Sequence, residues 1–288
     1  MGTSKATEIF DIANLTTKDI KANPLKPEEI RHVVETYYDM QDVRIRTSNR
    51  KSAIIREDKN QSTPPSNPVY LQHIESKFKE TEETITKFLK YYLKSDPIGQ
   101  WLLSIKGIGP VTAAGLLAYI DIKKAPTAGH IWSYAGWDGS RKVRTAGEKI
   151  TWNPKFRTLC WKIGEGFVKV CHRDGDIYGH LYLEKKAWYE QKNEEGGFAE
   201  KAARELKLKK YDKNTEAYKC YSTGKLPPAH INAMAKRFAV KIFLSHLQAV
   251  WYEYDTGVKA PNPYVQEHRG HVHIIAPPNR EVVFPDNP

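Results

Sequence analysis

Ser104-Ile105-Lys106-Gly107-Ile108-Gly109-Pro110-Val111-Thr112-Ala113-Ala114 is the stretch on which the reading of this chain turns. It follows the apolar run Trp101-Leu102-Leu103 and continues as Gly115-Leu116-Leu117-Ala118-Tyr119-Ile120, so two short apolar helices flank a Gly-Ile-Gly turn. Pro110 suits a first helical position, where its missing N–H would be unpaired anyway. The glycines let the chain turn tightly and bring bare backbone near a partner. Such a helix-hairpin-helix presents unpaired amides at a helix N-terminus, where they and the helix dipole favour a phosphate oxygen. The alternative is an ordinary tight turn between two packed helices.

Outward from the hairpin, helical spacing dominates and no run alternates like a sheet, so the expected fold is mainly α, a multi-helix domain. Upstream, Leu71, Ile74, Phe78, Thr81, Ile85, Phe88 and Tyr92 alternate spacings of three and four, which predicts a long helix ended by Asp96-Pro97. That seam fits packing within its own domain or a coiled coil joining two protomers through residues 71–92. Further upstream, Pro27-Glu28-Glu29 opens a helix with Ile30, Val33, Val34, Tyr37 and Tyr38, and residues 57–68 read as a proline-rich linker. Downstream, Asn153-Pro154 reads as an N-cap and first-turn proline, with Phe156, Leu159, Cys160, Ile163, Phe167 and Val170 on one face. Three shorter helices are expected near residues 177–193, 198–210 and 212–222. A last long one runs from Pro227-Pro228 to Gly257, with Ile231, Met234, Phe238, Ile242, Leu247, Val250 and Tyr254 inward. The expected organisation is a helical arm and linker at 1–68, the heptad helix at 69–98, the hairpin domain at 99–258 and an extended proline-rich tail at 259–288.

The chain carries 45 Lys and Arg against 34 Asp and Glu in 288 residues. The excess is local: residues 101–175 hold 12 basic against 5 acidic side chains, net +7, while residues 1–100 are nearly balanced at 16 against 15. A solvated helix face mixes signs, so this concentration points to a polyanion. Duplex or branched DNA is the expected partner, with RNA as a second polyanion. Cys160, Cys171 and Cys220 form no Cys-x-x-Cys, which argues against a zinc ribbon or a disulfide framework. No signal-like start and no run of about 18 apolar residues is present, so a soluble, cytoplasmic protein with no membrane contact is expected.

The order of elements resembles a known family. The hairpin at 104–114, then Trp132-Ser133-Tyr134-Ala135-Gly136-Trp137, then a basic loop, then Asn153-Pro154-Lys155-Phe156-Arg157-Thr158-Leu159 is similar to the C-terminal transposase domain of Piv/MooV-type DNA recombinases and related bridge-RNA-guided insertion-sequence transposases. The likeness spans about residues 71–250. It implies DNA recombination or a mobile-element origin. It also implies a RuvC-like domain with acidic metal ligands, for which residues 1–68 are too short and too helical, and a serine nucleophile just before a glycine in the loop after Ala135-Gly136. That loop reads Ser140-Arg141-Lys142-Val143-Arg144-Thr145-Ala146-Gly147, with no Ser-Gly pair.

The candidate DNA-binding residues are therefore Lys106, Gly107, Ile108, Gly109, Thr112, Arg141, Lys142, Arg144, Lys149, Lys155 and Arg157. The candidate catalytic residues are the hydroxyls of Ser140 and Thr145, either of which can attack a phosphodiester where arginines stabilise the developing charge. The more ordinary reading of Ser140 is a turn residue in Asp138-Gly139-Ser140. No cofactor is expected. A divalent metal stays open at His268, His271 and His273, for which no third type of ligand is evident. Trp132, Trp137 and Trp152 in the basic segment stack on unpaired bases or fill a core, and the spacing of Trp132 favours the core. Three function classes follow: a DNA binder, a strand-transfer or cleavage enzyme, and a coiled-coil scaffold for RNA or acidic protein.

Overall fold

A computed structural model describes residues 16–22, 24–58, 68–138, 147–261 and 275–285, and among these the regular structure is helical throughout, with no strand. The described residues form two compact units. One takes in Met1–Leu103 and Gly109–Tyr119, the other Ser104–Ile108 and Ile120–Pro288.

The first unit holds α1 (Thr17–Ala22), α2 (Pro27–Asp58), α3 (Val69–Lys94), α4 (Pro97–Ser104, up to Leu103) and α5 (Pro110–Tyr119). α2 starts as the sequence suggests, with Pro27 in its first turn, and the Glu29 carboxylate accepts the Lys26 amide at 2.7 Å. α2 and α3 run antiparallel, since Arg44 pairs with Glu82 and Lys51 with Glu75, each at 2.5 Å. The inward stripe of α3 is Glu82, Leu89 and Leu93, while Ile74 is 43% exposed and Thr81 lies at the surface. The heptad seam is thus displaced by about one residue at its end, because Leu89 and Leu93 stand one position beyond Phe88 and Tyr92 and are the residues that meet the neighbouring helix. At the end of α3, Asp96 Oδ1 accepts the Gly99 amide at 2.8 Å and starts α4.

α5 is buried on all sides from Ala113 to Tyr119 and packs on α2 and α3. Its small residues Ala113, Ala114, Gly115 and Ala118 allow that close approach. Arg31 caps its end by donating to the Ala118 carbonyl at 2.9 Å, and the Tyr119 hydroxyl donates to Glu35 at 2.7 Å.

The second unit holds α6 (Ala128–Tyr134), α7 (Pro154–Val170), α8 (Ile177–Glu194), α9 (Ala199–Leu208), α10 (Glu216–Ser222) and α11 (Pro228–Thr256), with short 3-10 turns at Ile122–Lys124 and Arg280–Val282. α11 is its axis, contacted by α6, α7 and α8. This explains why its buried set is wider than one stripe: Ala235, Ala239, Val240, Phe243 and Leu244 join Ile231, Met234, Leu247 and Val250, whereas Tyr254 lies outside. Gly257, at φ 70, ends it. Phe167, Tyr178 and Phe243 form an aromatic centre with ring separations of 5.0, 5.5 and 5.3 Å. Ala202, Tyr221, Leu226, Ile231 and Met234 make a smaller cluster under α9 and α10. The described part of the tail is fastened rather than free. Arg280 reaches both Glu253 oxygens at 3.1 Å, and Asn279 donates to the Ser104 carbonyl at 3.2 Å.

Candidate nucleic-acid interface

Lys106, Gly107 and Ile108 belong to the second unit, and Gly109 and Thr112 to the first. Gly107 adopts φ +89, and an added Cβ would lie 3.0 Å from Phe167 and 3.2 Å from the Gly166 backbone, so this turn rests on α7 backbone to backbone. Ile108 is buried and its amide donates to the Ile105 carbonyl at 3.1 Å. Lys106 is exposed, yet its ammonium donates to the Asp174 carbonyl in the loop before α8.

Gly109 is exposed with open space where a Cβ would project. Its amide donates to Thr112 Oγ1 at 3.1 Å, and its carbonyl accepts the Ala113 amide at 2.9 Å. The amides of Ile108 and Gly109 are therefore engaged. Ala113 makes the first intrahelical bond of α5, which leaves Val111 and Thr112 as the first-turn amides without an intrahelical acceptor.

The Ala135-Gly136 and Asn153-Pro154-x-x-Arg157 elements meet as one clasp. Arg157 donates to the carbonyls of Ala135 at 3.2 Å and Gly136 at 2.9 Å, and its guanidinium lies 5.8 Å from the Trp152 ring centroid. Gly136 takes φ +67 where a Cβ would press into Trp152 and Arg157. The Asn153 amide donates to the Tyr134 carbonyl at 2.9 Å, its side-chain nitrogen to the Tyr134 hydroxyl at 2.7 Å, and its Oδ1 caps α7 at Phe156 with 3.0 Å. The clasp pins both feet of the loop that starts after Trp137 and returns at Trp152. Ser140, Arg141, Lys142, Arg144 and Thr145 lie outside the described residues, as do His268, His271 and His273. On the returning foot Lys149 and, at the start of α7, Lys155 are exposed.

Residues 99–157, from α4 to the clasp's arginine, match the model of the Transposase IS116/IS110/IS902 family. This stretch is similar to transposases of that family. No curated protein and no solved structure matches the chain. The matched segment spans the Gly107-Ile108-Gly109 turn and the residues of the clasp.

Among the candidates, Arg157 and Lys106 spend their donors on main-chain carbonyls, while Lys149, Lys155 and Gly109 face outward. Trp132 is half-buried: its indole donates to the Lys241 carbonyl at 3.2 Å, which is a packing role. Asp176 carried no sequence signal. It is buried ahead of α8, and burial pushes its carboxyl above the usual range while the Gly179 and Tyr178 amides and nearby His180 and Lys106 oppose that shift. Cys160 is buried too, and its thiol is pushed well up by desolvation, which removes it as a nucleophile. Among the described residues no three His, Cys, Asp or Glu side chains form a metal-binding group, and no helix is long and apolar enough to cross a membrane.

Proposed function

We propose that this protein is a transposase-related DNA-binding protein, of recombination or mobile-element origin, that holds duplex or branched DNA by its phosphate backbone. The observation that carries this reading is the transposase-family match over residues 99–157, a segment whose sequence holds Arg141, Lys142, Arg144, Lys149 and Lys155. Backbone contacts of this sort read shape and charge rather than base sequence. The exposed Gly109 and the first-turn amide of Thr112 are further contacts on this reading.

Charge reversal tests it. Arg141→Glu, Lys142→Glu and Arg144→Glu together lower affinity for a four-way junction and for a duplex by at least a hundred-fold, on the order expected for losing several phosphate contacts. Unchanged affinity in a folded triple variant overturns the reading.

A strand-transfer activity is the second reading, through the Ser140 and Thr145 hydroxyls in the segment that follows Ala135-Gly136 in the sequence. A covalent protein–DNA adduct lost on Ser140→Ala or Thr145→Ala establishes it. The absence of any adduct on junction, duplex and RNA-containing substrates removes it.

A further inference from the structure

Within the second unit, a cleft between α7 and α11 is lined by Trp137, Trp161, Arg157, Lys236 and Arg237 over Gly164. A Cβ at Gly164 would touch the Lys236 and Val240 side chains at 3.4 Å, so the two helices approach closely there and nothing from α7 fills the floor. Trp161 is 56% exposed, although α7 has a complete apolar face formed by other residues. The Lys236 ammonium lies 5.4 Å from the centre of that ring and is also paired with Glu165.

We infer that this cleft binds an unpaired nucleotide of single-stranded nucleic acid, with its base against Trp161 and its phosphate toward Lys236 and Arg237. The lining supplies two indoles and the cations of Arg237, of Lys236, which is shared with Glu165, and of Arg157, which also donates to the Ala135 and Gly136 carbonyls. A flat uncharged ring joined to an anion matches that combination, and bases within a duplex hide the faces that an indole would cover. An acidic protein segment would answer the cations and leave the indoles unused. The inference rests on the nucleic-acid reading of the basic surface, and it adds a site that a fully paired duplex cannot occupy.

Fluorescence anisotropy of the full chain with labelled oligothymidylate, oligouridylate and a blunt duplex, each about 20 nucleotides long, tests it. Trp161→Ala weakens single-strand binding about ten-fold, the size of one lost base–aromatic stack, and leaves duplex binding within about two-fold. Trp161→Phe retains most of the affinity because it keeps a π face, whereas Trp161→Leu keeps apolar bulk and loses it. Equal losses on both strands assign the site to the pyrimidine ring and phosphate they share, and a loss on one strand alone assigns it to the 2′-hydroxyl or 5-methyl group that distinguishes them. Single-strand binding untouched by Trp161→Ala, or equal retention by Phe and Leu, overturns the inference while the duplex reading stands. Single-strand binding without duplex binding overturns the duplex reading and leaves this site. Binding to neither overturns both.

Discussion

The Arg157 guanidinium donates to the Gly136 carbonyl at 2.9 Å across 21 positions of sequence. This contact joins the end of α6 to the start of α7 and gives the arginine a positioning role. Replacing it leaves the α6 end with unpaired carbonyls, so Arg157→Ala costs about 2 kcal/mol in urea unfolding, the range for a charged hydrogen-bond donor. DNA affinity falls with it, because the loop loses its fixed feet. Arg157→Lys recovers little, since one ammonium cannot reproduce the stacked, forked contact. Lost affinity at unchanged stability would mean instead that Arg157 touches phosphate directly.

Two glycines near the hairpin respond oppositely to alanine. A Cβ at Gly166 would collide with the Gly107 backbone carbonyl, so Gly166→Ala destabilises by about 1–3 kcal/mol, as overpacking does. Gly109 has open space around a Cβ and no left-handed φ, so Gly109→Ala stays within about 0.5 kcal/mol of wild type. If bare backbone at Gly109 meets phosphate, that stable variant still loses DNA affinity. Thermal or chemical unfolding with both variants checks the contrast.

Acid acts through His246. Burial holds its imidazole at about 4, against an ordinary value near 6.5. Its Nε2 lies 2.8 Å from the Ile275 carbonyl and so carries the proton, which leaves Nδ1 to accept from the Tyr178 hydroxyl at 2.8 Å. The folded state therefore resists protonation that the unfolded chain accepts. Stability is unaffected above about pH 6.5, falls as pH drops from there toward 4, and the total loss reaches up to about 3 kcal/mol. Burial also holds His230 at about 4, so it acts in the same direction. The urea midpoint followed from pH 7 to 4.5 shows this slope in wild type and a shallower one in His246→Gln. Equal slopes would contradict the assignment.

Much of the fold can be read from the chain because its helix signals are local. Asn153-Pro154 caps α7, Pro228 opens α11 and Gly257 closes it, each by chemistry contained within a few residues. The displaced stripe of α3 was hidden because two adjacent apolar rows, Phe88 with Tyr92 and Leu89 with Leu93, satisfy the same spacing, and only the partner helix chooses between them. The site was legible as an order of elements and less so as roles. Lys106 and Arg157 have the composition of phosphate ligands, and distant carbonyls claim them, at Asp174 and at Ala135 with Gly136. Trp161 did leave a sequence trace, a large aromatic between Cys160 and Lys162 on the polar side of an otherwise regular amphipathic helix.

The most direct test of the DNA-backbone account is the salt dependence of affinity for a duplex, in wild type and in Lys149→Gln with Lys155→Gln. The account predicts a steep linear fall of log affinity with log salt, and a slope reduced by about two in the double variant, one for each phosphate contact removed. An affinity indifferent to salt, or a slope that the double variant leaves unchanged, would contradict it.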